Sequence, residues 1–247
     1  MDDKVDEIYN KTKYLNAEFK KFARLDKNIH DYDFKNYQDS LKSYNKTYNS
    51  FTNMTSTVIE ERDTRFREID VFSRLIMDRI IFLGSEVNST ISNIIVAQLL
   101  FLESIDKNSP ISIYINSPGG EIYSGLSIYD TMQFISPEIV TVCTGLGASM
   151  AAVLLSGGSK GKRFALRHSR IMIHQPLGGA KGQASDMEIN LKQILDLKKE
   201  LYEILAYHTG KSFKEIEKDS DRDYWMTSEE AKNYGIIDDI FYKKNNK

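Results

Sequence analysis

Gly145-Leu-Gly-Ala-Ser149-Met-Ala-Ala-Val-Leu-Leu155 places a lone hydroxyl at the joint between two apolar runs. The run before it, Ile139-Val-Thr-Val-Cys-Thr144, is β-branched and reads as a buried strand. The run after it, Met150 to Leu155, reads as a short helix that stops at Gly157-Gly158. Gly145, Gly147 and Ala148 leave room for a sharp turn between the two. Ser149 then sits beside the N–H groups that open the helix, where negative charge is favoured. Two readings share this geometry. Ser149 is a helix N-cap beside a glycine turn, or it is a nucleophile whose attack creates an oxyanion.

The same unit of strand, glycine-bearing turn and helix recurs along the chain. Strands are expected at Arg79–Leu83, Ile111–Asn116, Ile139–Leu146, Ile171–His174 and Ile236–Tyr242. Helices are expected at Asp70–Met77, Ile91–Glu103, Ser124–Phe134 and Ala184–His208. In the third of these, Leu126, Ile128, Tyr129, Met132 and Phe134 form the apolar side. This order predicts an α/β fold, sheet layers wrapped by helices. The Ala184–His208 helix carries Met187, Leu191, Ile194, Leu201 and Leu205 on one stripe, broadened by Ile189, Leu195, Leu197 and Ile204. So wide an apolar surface suits an ordinary core helix or one buried against several neighbours, another subunit among them.

With 33 basic and 35 acidic side chains, the 247-residue chain has a net charge of −2, which argues against a nucleic-acid or membrane-surface protein. No apolar run approaches the ~18 residues of a membrane helix. The acidic N-terminus, Met-Asp-Asp-Lys-Val-Asp-Glu, lacks the features of a secretory signal or transit peptide, so a cytoplasmic location is expected. The single cysteine, Cys143, excludes an internal disulfide and a cysteine-based zinc site, and its place in the apolar strand marks it as a core residue. Composition changes near Met54. Residues 1–54 are rich in Lys, Asn, Asp and aromatics, with a possible helix over 2–24, and read as an extension or pro-segment. Residues 55–247 read as one globular domain.

A nucleophilic serine needs a base. Of His30, His168, His174 and His208, only His174 ends a clear strand, Arg170-Ile-Met-Ile-His174, immediately before a glycine-rich turn. For the group that orients the base, Glu217-Lys-Asp-Ser-Asp-Arg-Asp223 offers three aspartates in a loop after a helix. Spacing alone does not choose among Asp219, Asp221 and Asp223. A second turn, Asn116-Ser-Pro-Gly119-Gly120-Glu, follows the Ile111 strand and suits close backbone approach with available N–H donors. It lacks the lysine of a phosphate loop and fits one half of an oxyanion hole.

Four of these stretches occur together and in order: Ile115-Asn-Ser-Pro-Gly-Gly120, Gly145–Met150, Ile171-Met-Ile-His-Gln-Pro-Leu-Gly-Gly179 and Asp219-Ser-Asp-Arg-Asp223. With Val58-Ile-Glu-Glu-Arg62 and Asp78–Gly84, the chain from Thr57 to Phe241 closely resembles the ClpP family, the proteolytic subunits of an ATP-dependent protease. The resemblance implies a crotonase-like α/β subunit with a protruding handle strand and helix over about 176–208. It implies that Ser149 is the nucleophile, His174 the base and Asp223 the orienting group, with the N–H groups of Gly120 and Met150 as the oxyanion hole. The implied activity is serine endopeptidase cleavage of unfolded proteins to short peptides, a part of protein quality control. No cofactor or metal is implied.

Further implications concern assembly. Family members form two stacked heptameric rings interlocked through their handles, and Asp221 and Arg222 match charged positions that link ring contact to triad alignment. Tyr114 and Phe134 match apolar pockets where an AAA+ unfoldase ATPase inserts its loops. The 54-residue extension is longer than many family pro-segments, and processing near Met54-Thr55 is expected from the composition change. Two other readings of the same motifs are an acyl-CoA hydratase or hydrolase on the same fold, which predicts CoA binding, and a catalytically silent ring subunit, which predicts assembly without Ser149 labelling.

Overall fold

The computed structural model describes residues 57–62, 65–179 and 182–242, with side chains from Ile69 onward. The 1–54 segment, its expected helix and the Met54-Thr55 junction lie outside the described residues. Strands β1 (Thr57–Arg62) and β2 (Arg65–Asp70) pair as a two-stranded sheet. From Ile69 a second unit begins. Asp70 caps α1 (Val71–Met77), its carboxylate accepting from the N–H groups of Phe72 and Ser73 at 3.0 and 3.1 Å.

The core sheet is built from β3 (Ile80–Leu83), β4 (Ile111–Ser117) and β5 (Ile139–Ala148), all parallel, with Ile81 opposite Ile113 and Ile113 opposite Thr141. Helices α2 (Ser89–Ile105) and α3 (Ile122–Phe134) are the crossovers between them. Alternation decides which side chains enter the core: along β4, Ile111, Ile113, Ile115 and Ser117 are buried. The three isoleucines meet Ile95, Leu99 and Leu102 of α2 and Ile128 and Met132 of α3 in one apolar cluster.

Between Cys143 and Leu146, just before Ser149, the sheet forks. The first half of β5 pairs with β6 (Arg163–Leu166) through Thr141–Cys143, and its second half pairs with β7 (Arg170–Ile173) through Leu146–Ala148. On the other side, Ile115 faces Cys143 but Ser117 faces Gly147, so two residues of β4 span four of β5. The extra residues bulge outward, and the Asn116 side chain fills the gap by accepting from the Leu146 N–H at 3.0 Å. A side chain at Gly145 would collide with that amide, its Cβ falling 2.6 Å from Asn116 Oδ1. This bulge bends β5 toward β7 and aims its last residues at the cleft.

Beyond β5 come α4 (Met150–Ser156), the long α5 (Ala184–Thr209), α6 (Phe213–Asp219), β8 (Tyr224–Thr227), α7 (Ser228–Tyr234) and β9 (Asp239–Phe241). β8 runs antiparallel to β7, and β9 lies beside β6. The mostly parallel sheet with helices around it is the α/β architecture expected from the sequence. Several boundaries differ. The strand expected at Ile236–Tyr242 shrinks to Asp239–Phe241, because Gly235 ends α7 in the left-handed region and buries Ile236 and Ile237 beside it. The short β6 and β8 and the helices α6 and α7 were not expected. Phe134, expected on the apolar side of its helix, is instead 81% exposed at the end of α3.

Helix α5 divides sharply along its length. Leu197, Leu201, Tyr202 and Leu205 are buried, all in its C-terminal half. Ile189, Leu191 and Leu195 in the other half are exposed. The broad apolar surface is therefore half core and, among the described residues, half exposed face. The preceding segment, 175–179, carries no ladder partner. Among the described residues, no helix is long and apolar enough to cross a membrane.

Candidate active site

Ser149 stands between the end of β5 and the start of α4 with φ 56° and ψ −125°, a conformation in which L side chains are strained. Two bonds hold it there: its N–H donates to the Met172 carbonyl at 2.8 Å, and its own carbonyl accepts from Ala152 N–H at 2.9 Å. Ser149 occupies the N-cap position, yet its side chain makes no capping hydrogen bond. The hydroxyl points instead to His174, with Oγ 2.9 Å from Nε2. A helix cap uses the side chain; here the backbone is bent to release it, the geometry of a nucleophile elbow.

His174 follows the last residue of β7, whose pairing on both sides fixes the ring's approach. Its Nδ1 lies 3.0 Å from Asp223 Oδ1. Asp223 directly precedes β8, so the β7–β8 ladder brings base and carboxylate together. The three aspartates left open by spacing are thereby separated. Asp219 belongs to the end of α6, not to a loop, and accepts a hydrogen bond from Tyr234 Oη at 2.9 Å. Asp221 lends its backbone carbonyl to Gln175 Nε2 at 2.8 Å, and its carboxylate lies 4.0 Å from the exposed Arg222 guanidinium. Only Asp223 reaches the imidazole.

The glycine turn after β4 closes the other side. Gly119 and Gly120 have φ of 90° and 151° and are held against Val87, whose N–H donates to Gly119 O at 2.8 Å while its carbonyl accepts from Glu121 N–H at 2.9 Å. A Cβ on Gly119 would lie 2.6 Å from Ala148 O and 2.8 Å from Met150 N, so the turn packs directly on the backbone around Ser149. Among the described residues, the N–H groups of Gly120 and Met150 donate to no other group, and both residues line the cleft with Ser149. That cleft is about 330 Å³. Beside Ser149 its wall is apolar, built by Ile122, Met150, Val153, Leu201 and Leu205.

The remaining sequence candidates are placed elsewhere. Cys143 is fully buried, burial pushes its thiol up, and it is a core residue as expected. Tyr114 is half-buried in the middle of β4, opposite Phe82. His208, passed over as lacking a strand end, is half-buried at the foot of α5, with Nε2 2.8 Å from Tyr129 Oη. No group of three or more His, Cys, Asp or Glu side chains is arranged to hold a metal among the described residues.

What this arrangement can do is acyl transfer. A hydroxyl is aligned on an imidazole, the imidazole on a carboxylate, and two backbone donors face the same cleft. Comparison with known proteins agrees. A family model described as Clp protease matches residues 38–244. An ATP-dependent Clp protease proteolytic subunit of Bacteroides fragilis is 61% identical over 187 residues, covering 76% of this chain and 90% of that protein. One of the same description from Porphyromonas gingivalis is 54% identical over 226 residues, 92% of this chain and 98% of the relative. That span exceeds the 55–247 region, so the likeness reaches into the N-terminal segment. With most of its length matched by the family model and by relatives of this identity, the chain belongs to the Clp protease family.

Proposed function

We propose that this serine-type endopeptidase cleaves peptide bonds through Ser149, His174 and Asp223, with the N–H groups of Gly120 and Met150 stabilising the oxyanion. The observation that carries the assignment is Ser149 itself: a strained, non-capping serine whose Oγ lies 2.9 Å from His174 Nε2. Ser149 Oγ attacks the substrate carbonyl carbon as its proton passes to His174 Nε2. The oxygen that gains charge is met by the two backbone donors. Collapse of the tetrahedral adduct breaks the C–N bond, and His174 returns a proton to the departing amine. Water, deprotonated by the same imidazole, then splits the acyl-enzyme. Asp223 holds the imidazole with Nε2 facing the serine and favours its cationic form.

The same reading extends to assembly. Two stacked seven-membered rings are supported by the exposed apolar half of α5, and the 175–179 segment, with no strand ladder among the described residues, suits an extended substrate bound by main-chain hydrogen bonds. Such binding is blind to sequence, as degradation of unfolded chains requires. Asp221 and Arg222 then serve as ring-contact sensors, Tyr114 and Phe134 as docking positions for an AAA+ unfoldase, and residues 1–54 as a processed or partner-facing segment. A cytoplasmic location fits the lone, buried thiol.

Intact-mass spectrometry with a fluorophosphonate probe tests the core of this reading. One adduct on the assembled protein, missing in Ser149→Ala, is the expected result. No adduct on correctly assembled protein overturns the assignment of Ser149. The same spectrum reports whether the first 54 residues are retained.

A further inference from the structure

The foot of α5 is pinned by a cluster that the triad does not use. His208 sits in the last turn, its Nε2 2.8 Å from Tyr129 Oη on α3. Among the described residues this is the one side-chain hydrogen bond joining α3 to α5. The two rings meet edge to face, 5.6 Å between centroids, and Tyr207 meets the same imidazole edge to face at 5.0 Å. The backbone of the same residue is fixed as well. Arg163 Nη1 donates to the His208 carbonyl at 2.8 Å, while Asp238 holds the guanidinium with contacts of 2.6 and 2.9 Å.

The spacing ties this cluster to the cleft. On α3, Ile122 lines the pocket beside Ser149 and Tyr129 follows seven residues later, on the same helical stripe. On α5, Leu201 lines the opposite wall and His208 again follows seven residues later. Each interval is two turns, roughly 10 Å along a helix axis. The bond between Tyr129 and His208 is thus the clasp of two arms whose other ends are the pocket walls. Because the buried side chains of α5 all lie in its C-terminal half, the helix position depends on this end.

We propose that His208 is a positioning residue: clasped to Tyr129, it sets the separation of the pocket walls beside Ser149 and thereby selects large apolar side chains just before the scissile bond. This rests on the reading of Ser149 as nucleophile. A small side chain does not reach the α5 wall and is indifferent to the clasp. A long one loses its contact with Leu201 and Leu205 when the foot of α5 is released.

The test uses assembled protein and a series of fluorogenic peptides that differ only before the cleaved bond, as Ala, Leu, Met and Phe. Tyr129→Phe and His208→Ala are each expected to raise KM about fivefold for the Leu, Met and Phe peptides, the range of one lost hydrogen bond. The Ala peptide and the rate of fluorophosphonate labelling stay within about twofold. The double variant adds little to either single one. His208→Gln, which places an amide near the lost Nε2, restores the wild-type pattern. An equal loss across all four peptides, or none, overturns the inference while labelling of Ser149 leaves the catalytic assignment standing. A wild-type protein that is not labelled at Ser149 overturns both.

Discussion

His174 and Asp223 share a 3.0 Å contact but not a common environment: the imidazole side chain is 14% exposed and the carboxylate 60%. The His174 ring is largely enclosed, whereas the Asp223 carboxylate faces outward from the segment after α6. The hydroxyl–imidazole contact joins the end of β5 to the end of β7, two paired core strands, and the imidazole–carboxylate contact hangs on the 220–223 segment. Disturbance of that segment therefore acts on catalysis before it acts on the fold.

This inequality predicts a ranking. Ser149→Ala and His174→Ala should each remove most of the catalysis, on the order of 10⁶ in kcat, while Asp223→Asn should cost about 10⁴, as in an unrelated triad whose members act as a unit. Thermal unfolding of Asp223→Asn should match wild type, since little buried surface changes. Peptide hydrolysis and melting curves measured on the same preparations check both halves.

Gly119→Ala should be inactive in an assembled particle. The new Cβ would meet Ala148 O, Met150 N and Ser149 Cβ at 2.6 to 2.8 Å, and φ of 90° is strained for any L side chain. Either the glycine turn or the serine elbow must move. Displacing an oxyanion donor costs roughly 10²–10³ in kcat. A variant that assembles and retains more than a tenth of wild-type kcat would show that the turn does not support the site.

The legibility of this site in the sequence was uneven. Ser149, its strand and its helix were readable because the chain changes period and passes through small residues at the joint. His174 was readable because a strand ends on it. The choice of Asp223 came from family likeness, since it depends on β8 pairing with β7, and a four-residue strand with two exposed aromatics carries no burial pattern. Helices α6 and α7 carry a local signal in the sequence: Ser212 with Glu215 and Thr227 with Glu230 each form a capping box. The β5 bulge was beyond reach, because the partner that stabilises it, Asn116, is about 30 residues away in sequence.

His208 makes stability depend on pH in a defined window. Burial first, and the nearby Arg163 charge second, hold its pKa at about 4, below the ordinary 6.5. The unfolded chain thus binds the proton more readily than the folded one. The contribution is complete above pH 6.5 and is lost as pH falls toward 4. For a half-buried ring facing Tyr129, Tyr207 and Arg163, with Asp238 behind the guanidinium, it amounts to on the order of 1 kcal/mol after solvent screening. Denaturant unfolding should show wild type losing stability relative to His208→Gln as the pH falls from 7.5 to 4.5. Parallel curves would mean the imidazole titrates alike in both states.

Leu191→Asp should separate paired rings without unfolding the subunit. Leu191 is 54% exposed on the half of α5 that carries no buried side chain, so the subunit loses little. An interface that buries it in a partner would receive a desolvated, unpaired carboxylate. Sedimentation velocity should show the double-ring particle replaced by one of half its mass. An unchanged sedimentation coefficient would place the apolar half of α5 outside the ring contact.

Phe134 offers a way to separate chemistry from delivery. It ends α3 with 81% of its surface exposed, while Ile128, Tyr129 and Met132 of the same helix are buried and hold that helix in place. Removing its ring therefore leaves the pocket wall at Ile122 and the clasp at Tyr129 untouched. If Phe134 and Tyr114 receive the unfoldase, Phe134→Ser should hydrolyse short peptides at the wild-type rate. Degradation of a folded, tagged protein in the presence of the unfoldase and ATP should fall at least tenfold, the effect of losing one aromatic anchor at a docking site. Equal loss of both activities would assign Phe134 to ring assembly, because peptides need an aligned triad but no partner. Equal retention would move docking to another surface.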